Sequence, residues 1–193
     1  MNDRQQEEFM RLLKPMHRKL EKFALAMTRD REQASDLVHD TIVIAYERFH
    51  TIRDKNAFTS YLFSIASNLY KRSFRRSKFW GFFDSEAAEQ IADTSALPDA
   101  GPDIALLYKA LARLPEKYRE ALILFEINGL SINEIHAIQG GSLSSIKVRL
   151  MRGRQKLAQL LHADNPIKTF DPPPQQKAED ISAEQLMKGE HYA

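Results

Sequence analysis

Apolar residues recur along this 193-residue chain at the three- and four-residue spacings of amphipathic helices. No stretch alternates convincingly with the period of two that is typical of a half-buried strand. Glycine is scarce, with seven residues in all, and proline falls mainly between the periodic stretches. The pattern therefore predicts an all-α fold.

The first part of the chain contains three predicted helices. The first covers about residues 5–28 and is expected to bend or divide at Pro15, because proline interrupts helical hydrogen bonding. Asp30 caps the second helix, with Gln33 at its third position. That helix runs to about residue 49, and its predicted inner face carries Ala34, Val38, Thr41, Ile42, Ala45 and Phe49. After the connection TIRDKN, a third helix runs from Phe58 to about residue 78.

Residues 81–103 interrupt this helical pattern. The segment, GFFDSEAAEQIADTSALPDAGPD, has no sustained period and combines acids, small residues and two prolines, which is typical of a flexible linker. Further predicted helices follow over residues 104–163. From residue 164 the chain becomes polar and proline-containing, which predicts a mostly disordered tail with one short helix near 182–188. The expected architecture is two small helical domains joined by a flexible acidic linker.

The second group of helices ends in the layout of a helix-turn-helix. SINEIHAIQ is predicted as a helix opened by a capping box of Ser131 and Glu134. A short turn with two glycines leads into a basic helix that begins near Leu143, with Ser142 as its N-cap. In such a motif the second helix enters the DNA major groove.

The two sides of this basic helix differ in character. One side is expected to be buried and carries Ile146, Leu150, Gly153 and Leu157. The other side is polar and basic, with short side chains at its N-terminal end, and suits the edges of bases and the flanking phosphates. Its candidate DNA contacts are Ser144, Ser145, Lys147, Val148, Arg149 and Arg152. A helical hairpin with a solvated basic surface is the alternative interpretation.

Charge is distributed unevenly along the chain. Residues 1–80 hold 16 Lys and Arg against 10 Asp and Glu, and residues 105–165 hold nine against five. Residues 81–104 hold six acids and no base. Two basic blocks separated by an acidic segment indicate two folded units that each face a polyanion, unless the pattern is only an uneven sampling of surface charge.

Several classes of protein are excluded by what the sequence lacks. Without cysteine there is no disulfide framework and no thiolate metal site, which favours a reducing cytoplasm. The N-terminus is charged and no apolar run approaches the roughly 20 residues of a membrane span. The six histidines lack metal-ligand spacing, and no phosphate-binding loop or nucleophile elbow is present. The sequence therefore predicts neither an enzyme nor a cofactor or metal site.

Two different polar faces are expected in the first unit. Asp36, Asp40 and Glu47 follow one another at intervals of four and seven on the second helix, forming an acidic stripe. DNA would repel this stripe, so it suits a basic protein partner, although an ordinary solvated face has the same spacing. The third helix ends in NLYKRSFRRSKFWGFF, whose cations and aromatic rings suit single-stranded or melting DNA. For any one of these rings, core packing is the alternative role.

Four stretches in this order resemble the extracytoplasmic-function (ECF) sigma factors of bacterial RNA polymerase. They are ASDLVHDT (34–41), FTSYLFSIASNLYKRSFRR (58–76), ALARLPEKYREALILFEINGLSINEIHAI (110–138) and SSIKVRLMRGRQKL (144–157). The resemblance implies that residues 1–80 form a region 2 that binds core polymerase and recognises and melts the −10 element. Residues 104–163 would form a region 4 helix-turn-helix that recognises the −35 element.

The resemblance also implies partners and roles for particular residues. The partners are core RNA polymerase and promoter DNA, with an anti-sigma factor and a regulatory kinase as further candidates. Polymerase binding would involve Asp36, His39, Asp40 and Glu47. The −10 element would be contacted by Asn68, Lys71, Arg72, Arg75 and Arg76, and the −35 element by the six residues of the basic helix given above.

The chain departs from the family pattern at a few positions. The family usually has acids at the positions of Gln33 and Ser35, so the polymerase-binding face is less acidic than usual. It also has tryptophan at Tyr61 and Gly-Thr in place of Ser144-Ser145. Phosphorylation would add the missing charge, and the candidate sites are Ser35, Thr41 and Thr51.

One alternative function remains at this stage, a free-standing helix-turn-helix regulator that acts without polymerase. It accounts for residues 105–162 but gives no role to the acidic stripe or to the basic aromatic end of the third helix.

Overall fold

The computed structural model of the chain describes residues 3–79 and 101–164. Both segments are helical, and neither contains a strand, which confirms the all-α prediction. The linker prediction for residues 81–100 and the tail prediction after residue 164, including the short helix near 182–188, fall outside the described residues. Within the two described segments, no helix is both long and apolar enough to span a membrane.

The first segment forms three helices: α1 (Asp3–Thr28), α2 (Arg31–Glu47) and α3 (Phe58–Phe79). α1 continues through Pro15 as one helix, so the expected division is not found. Leu13 and Leu20, on either side of the proline, are both buried. Because the two halves pack into the same core, their burial offsets the one backbone hydrogen bond that proline cannot donate.

The turn from α1 to α2 is fixed by side chains near it. Asp30 accepts a hydrogen bond from the Gln33 backbone N–H at 2.8 Å, which confirms the predicted N-cap. The Thr28 hydroxyl donates to the carbonyl oxygen of Ala24 at 2.9 Å. Arg29 between them has a φ of 59°, which is uncommon for a residue other than glycine. α2 therefore starts where the sequence predicted.

The core of the first unit is built on phenylalanine rings that pack edge to face. Phe9 contacts Phe49 and Phe58 with ring centroids 5.3 and 5.8 Å apart, and Phe23 contacts Phe63 at 5.4 Å. The predicted inner face of α2 is buried at Ala34, Val38, Thr41 and Ala45 and half-buried at Ile42. Two short 3₁₀ turns, Phe49–Thr51 and Lys55–Ala57, connect α2 to α3.

The second segment forms α4 (Pro102–Ala112), α5 (Glu116–Leu122), α6 (Ile132–Gln139) and α7 (Leu143–Asp164). α4 begins two residues inside the segment predicted as linker, with Pro102 in its first turn, where a missing N–H costs nothing. α5 continues into a π-helical turn, Ile123–Ile127, which the sequence did not predict. In this turn the Asn128 backbone N–H donates to the carbonyl oxygen of Ile123 at 3.1 Å.

The helix-turn-helix consists of α6 and α7, as predicted. The capping box is present, with the Ser131 N–H donating to Glu134 Oε2 at 2.8 Å and the Glu134 N–H donating to Ser131 Oγ at 3.3 Å. Gly140 and Gly141 have φ values of 67° and 95°, which favour glycine. Ser142 Oγ accepts from the Ser145 N–H at 3.2 Å, which confirms the second cap.

The predicted buried side of α7 packs on α5. Ile146, Leu150 and Gly153 are buried, and Leu157 is half-buried. A Cβ at Gly153 would lie 3.2 Å from Leu122 Cδ1, so the absence of a side chain lets the two helices approach closely.

The two helical units also pack against each other. α3 lies against α6, and α1 contacts the π-helical turn. Tyr70 of α3 and Arg119 of α5 are buried where the units meet. This contact brings the proposed −10 helix and the helix-turn-helix into one closed arrangement.

Candidate polymerase and promoter interfaces

The outward side of α2 is acidic and has an apolar centre. Asp36, His39, Asp40 and Glu47 are all exposed, as the sequence predicted. Two large apolar side chains lie between them, with Val43 41% and Tyr46 37% exposed. We refer to these six residues as the acidic face of α2. Within the described residues, none of its three carboxylates forms an ion pair.

The three candidate phosphorylation sites differ in access. Ser35 is exposed, and Thr51 is exposed although its hydroxyl donates to the carbonyl oxygen of Arg48 at 2.7 Å. Thr41 is completely buried, and its hydroxyl donates to the carbonyl oxygen of Leu37 at 2.6 Å. Proposing Thr41 as a kinase site was therefore wrong, because no kinase can reach this hydroxyl in the folded chain.

The proposed −10 residues lie on α3 towards its C-terminal end. Asn68 and Arg72 are exposed, whereas Lys71 is only 26% exposed in its side chain. Arg75 and Arg76 lie on α3, but their side chains are outside the described part of the chain. Tyr70 is buried and stacks on Phe74 with ring centroids 6.0 Å apart, so its ring is packed rather than open to a base.

Most of the proposed −35 residues are accessible at the N-terminal half of α7. Ser144, Lys147, Val148 and Arg152 are exposed, whereas Ser145 and Arg149 are half-buried. Ser145 Oγ donates to the carbonyl oxygen of Ser142 at 2.7 Å, so this hydroxyl helps to close the turn.

Both arginines of this face have partners within the protein. Arg149 Nη1 donates to Gln139 Oε1 at 3.1 Å and approaches the carbonyl oxygen of Gly140 at 3.5 Å. A hydrogen bond from Arg152 lowers the pKa of Tyr118. Lys147 differs from both, since no hydrogen bond or ion pair involves its ammonium within the described residues.

A polar cluster at the contact between the units was not predicted. Glu120 of α5 is 1% exposed, and its carboxylate accepts hydrogen bonds from Ser67 Oγ of α3 and, at 2.7 Å, from Gln139 Nε2. Lys71 Nζ lies 3.0 Å from Glu120 Oε2 and donates to Ser67 Oγ at 2.8 Å. We refer to Ser67, Lys71, Glu120 and Gln139 as the inter-unit cluster.

A second polar contact lies beside this cluster. Arg119 Nη2 donates to the Tyr70 hydroxyl oxygen at 2.8 Å. Burial raises the pKa of Tyr70, while the Arg119 guanidinium acts in the opposite direction. The phenol therefore stays protonated at neutral pH and accepts a hydrogen bond from the arginine across the interface.

Both units match models of known families. Residues 12–79 match the model described as Sigma-70 region 2, and residues 104–157 match that described as Sigma-70, region 4. The ECF RNA polymerase sigma factor EcfG of Rhodopseudomonas palustris is 30% identical over 149 residues, which cover 75% of this chain and 80% of that protein. The chain belongs to the ECF family of RNA polymerase sigma factors.

Other ECF sigma factors agree with this assignment. SigM of Mycobacterium tuberculosis is 29% identical over 153 residues, which cover 79% of this chain and 76% of that protein. The fold is similar to that of the sigma factor RpoE of Bartonella quintana, solved with the anti-sigma factor NepR, with a TM-score of 0.65 and 26% identity over 82% of this chain and 99% of that one. CnrH, solved with the cytosolic domain of CnrY, gives a TM-score of 0.61 at 26% identity, covering 82% and 90% of the two chains.

As an ECF sigma factor, the protein binds core RNA polymerase and promoter DNA and directs promoter-specific initiation of transcription. The alternative of a free-standing helix-turn-helix regulator is not favoured, because it leaves the region 2 match over residues 12–79 unexplained. Sigma factors are regulatory rather than catalytic proteins. Within the described residues, no group of histidine and acidic side chains could hold a metal ion.

The inter-unit cluster was missed because its members are far apart in the chain. Ser67 and Glu120 are separated by 53 positions, and no local spacing relates them. One signal was present: Arg119 and Glu120 are two charged residues within a stretch, YREALILF, that is otherwise apolar on all sides of the helix. A helix with apolar residues on all sides is buried on all sides, so a carboxylate within it requires polar partners.

Proposed function

We propose that the acidic face of α2 is the surface through which this sigma factor binds core RNA polymerase. The observation that carries the proposal is the combination of exposed, unpaired carboxylates with exposed apolar side chains at their centre. Val43 and Tyr46 would supply the apolar contact, and Asp36, Asp40 and Glu47 would pair with cations of the partner. Because these carboxylates have no partner in the described part of the chain, no internal ion pair must break first.

The DNA contacts are assigned to the other two polar surfaces. The end of α3, with Asn68, Lys71, Arg72, Arg75 and Arg76, would contact the −10 element within a region 2 domain of residues 1–80. The N-terminal half of α7 would read the −35 element within a region 4 domain of residues 104–163. Exposure of Val148 at 39% supports a contact with a base edge, and the exposed Lys147 supports a contact with phosphate.

A cytoplasmic location is part of the proposal and is supported by the family, because an ECF sigma factor works with core polymerase. The chemistry of transcription belongs to the polymerase, so we assign no catalytic residue to this chain. An anti-sigma factor is the proposed regulator, since RpoE of Bartonella quintana was solved with one. Ser35 is the proposed site for a regulatory kinase, because it is exposed beside the acidic face and Thr41 is buried.

The test of the polymerase-binding surface is the double substitution Asp36→Lys/Asp40→Lys. Both side chains are exposed, so the substitution should cost little folding stability, while contacts with basic groups of the partner become repulsive. We expect affinity for core polymerase to fall by about 100-fold or more, and run-off transcription from a cognate promoter to be lost. Co-elution with core polymerase and run-off transcription measure the two effects, and circular dichroism checks the fold.

A matched control is available in α1. Asp3 and Glu7 are also exposed carboxylates four residues apart, so Asp3→Lys/Glu7→Lys makes the same change of charge on another surface. This control should bind core polymerase almost as well as the parent. If the α2 variant is folded and still co-elutes and initiates like the parent, the assignment of the acidic face is wrong.

A further inference from the structure

A continuous series of polar contacts joins the proposed −35 helix to the proposed −10 helix. It runs from Arg149 to Gln139, from Gln139 to Glu120, and from Glu120 to Lys71, with donor–acceptor distances of 3.1, 2.7 and 3.0 Å. Two cations proposed for promoter DNA are thus linked to one carboxylate inside the protein. Glu120 is the only acid in this series.

Glu120 belongs to an interface that can open without leaving a buried charge behind. Ser67 and Lys71 lie on one unit, and Glu120 and Gln139 lie on the other. Burying a carboxylate is costly unless it is paired and hydrogen-bonded. Two of the partners of Glu120, Ser67 and Lys71, contact it only in the closed arrangement, whereas Gln139 lies on the same unit. On separation, water would solvate the carboxylate and the ammonium alike, so polar contacts of this kind suit a reversible closure.

The closed arrangement is too small for simultaneous promoter contacts. The −35 and −10 elements lie about 25 base pairs apart, which is about 85 Å of duplex at 3.4 Å per base pair. A packed body of this many residues is only about 40 Å across. Because the packed units are smaller than the distance between the two elements, they can contact both elements at once only after they have separated.

We infer that Glu120 is an internal competitor of promoter DNA: it holds α3 against the second unit and occupies Lys71 directly and Arg149 through Gln139. The inference rests on the proposed DNA contacts of these two cations. In the closed chain Lys71 pairs with the carboxylate, and Arg149 is held by Gln139, which itself donates to that carboxylate. In the promoter complex both cations would face phosphates. Promoter affinity of the chain is then reduced by the fraction of molecules that are open.

The test is the substitution Glu120→Gln, which keeps the shape of the side chain and removes its charge. Because the chain has no cysteine, dyes can be attached specifically at Lys14→Cys in α1 and Gln159→Cys in α7, both exposed positions. Energy transfer between the dyes should fall in the Glu120→Gln chain. Its affinity for a −35 duplex should rise by about tenfold, the effect of losing one hydrogen-bonded charge from the closed state.

Glu126→Gln is the matched control. Glu126 lies in the π-helical turn, and its carboxylate pairs with Arg154 of the same unit at 2.7 Å. Its substitution therefore removes the same charge without removing a polar contact between the two units. It should leave energy transfer unchanged. Ser67→Ala is a milder second variant, which retains the carboxylate and should give a smaller decrease in transfer. Circular dichroism verifies the fold of each variant.

Two results would overturn the inference in distinguishable ways. If folded Glu120→Gln and Ser67→Ala chains keep the parent's energy transfer, Glu120 does not hold the units together, and the proposed DNA contacts are unaffected. If the Glu120→Gln chain opens but binds duplex no better than the Glu126→Gln chain, Glu120 does not compete with DNA. Adding Arg149→Ala to the opened chain then identifies the cause, since unchanged affinity for the −35 duplex means that the proposed DNA contact of Arg149 is itself wrong.

Discussion

The acidic face of α2 and the cations of the DNA-facing helices are both assigned to large charged partners, but their state in the closed chain differs. Asp36, Asp40 and Glu47 are exposed and form no ion pair within the described residues. Lys71 lies 3.0 Å from the Glu120 carboxylate, and Arg149 donates to Gln139 at 3.1 Å. The proposed polymerase contacts therefore require no internal contact to break, whereas the proposed DNA contacts of Lys71 and Arg149 do.

The difference indicates an order of events. Under the proposed assignments, polymerase associates with the closed chain through an accessible surface, whereas DNA engages Lys71 and Arg149 only after their internal contacts have broken. A protein built in this way should bind DNA weakly before it reaches polymerase, although its net charge of +2 favours a polyanion.

The largest expected effect concerns the cations at the end of α3. Replacing Arg75 and Arg76 by alanine should reduce open complexes on the order of 100-fold, since two charge-assisted contacts of about 1.5 kcal/mol each would be lost. Permanganate reactivity of thymines near −10 measures the open complexes. A template with a pre-melted bubble should restore much of the transcription, because it supplies the unpaired strand.

The control for this pair lies in α1, where Arg18 and Lys22 are exposed cations four residues apart. Arg18→Ala/Lys22→Ala should leave permanganate reactivity close to that of the parent. If the bubble template does not restore transcription, the result contradicts a role for α3 in melting. The cations of α3 could then no longer be contrasted with the acidic face of α2 as a DNA-binding surface.

A smaller effect should distinguish Lys147, whose ammonium has no partner within the described residues, from Arg149, which donates a hydrogen bond to Gln139. Lys147→Ala should weaken −35 duplex binding by about tenfold and lower the salt dependence by about one unit, as for the loss of one phosphate contact. Arg149→Ala should cost only about threefold, because the closed chain already engages Arg149 with Gln139. Titrations of labelled duplex at several salt concentrations measure both.

The same two substitutions sharpen the comparison when they are made in the Glu120→Gln chain. There the cost of Arg149→Ala should approach that of Lys147→Ala, because Gln139, the partner of the arginine, is no longer oriented by the Glu120 carboxylate. Equal losses already present in the parent background would show that internal contacts do not limit Arg149.

The smallest expected effect returns to the acidic face. Gln33 is exposed in the first turn of α2, where the family usually carries an acid. Gln33→Glu should tighten core polymerase binding by about two- to threefold, within the range of a single exposed ion pair. Gln6→Glu, at another exposed glutamine in α1, is the control. Competition between each variant and the parent for core polymerase measures the ratio of their affinities. Equal affinity of the Gln33→Glu and Gln6→Glu variants would contradict the idea that missing negative charge on α2 limits polymerase binding.

The sequence predicted the helix boundaries best where their signals are local. Asp30, the Ser131–Glu134 box and Ser142 each act on backbone groups within three residues, and all three caps are present. The exposed carboxylates of α2 and the buried side of α7 followed from helical periodicity in the same way. These features depend on spacing along one helix, which a sequence displays directly.

The features that were missed depend on contacts between distant segments. The missing N–H of Pro15 suggested a bend or a division of the helix there, but burial of Leu13 and Leu20 in one core keeps α1 continuous. Lys71 was predicted as a DNA contact from its position among other cations, yet its buried partner Glu120 lies on another unit. Spacing along one helix cannot reveal such a partner, because the pairing is decided by how the units pack.

The π-helical turn at Ile123–Ile127 has a consequence for comparing related chains. A π-helical turn contains one residue more than an α-helical turn, and the carbonyl oxygen of Ile123 accepts from both the backbone N–H and the side-chain amide of Asn128. Removing one residue here would restore ordinary helical spacing and leave Glu120 and α6 on their present sides. Removing one elsewhere in α5 would rotate them by about 100°, so a one-residue gap in an alignment with other ECF sigma factors belongs within this turn.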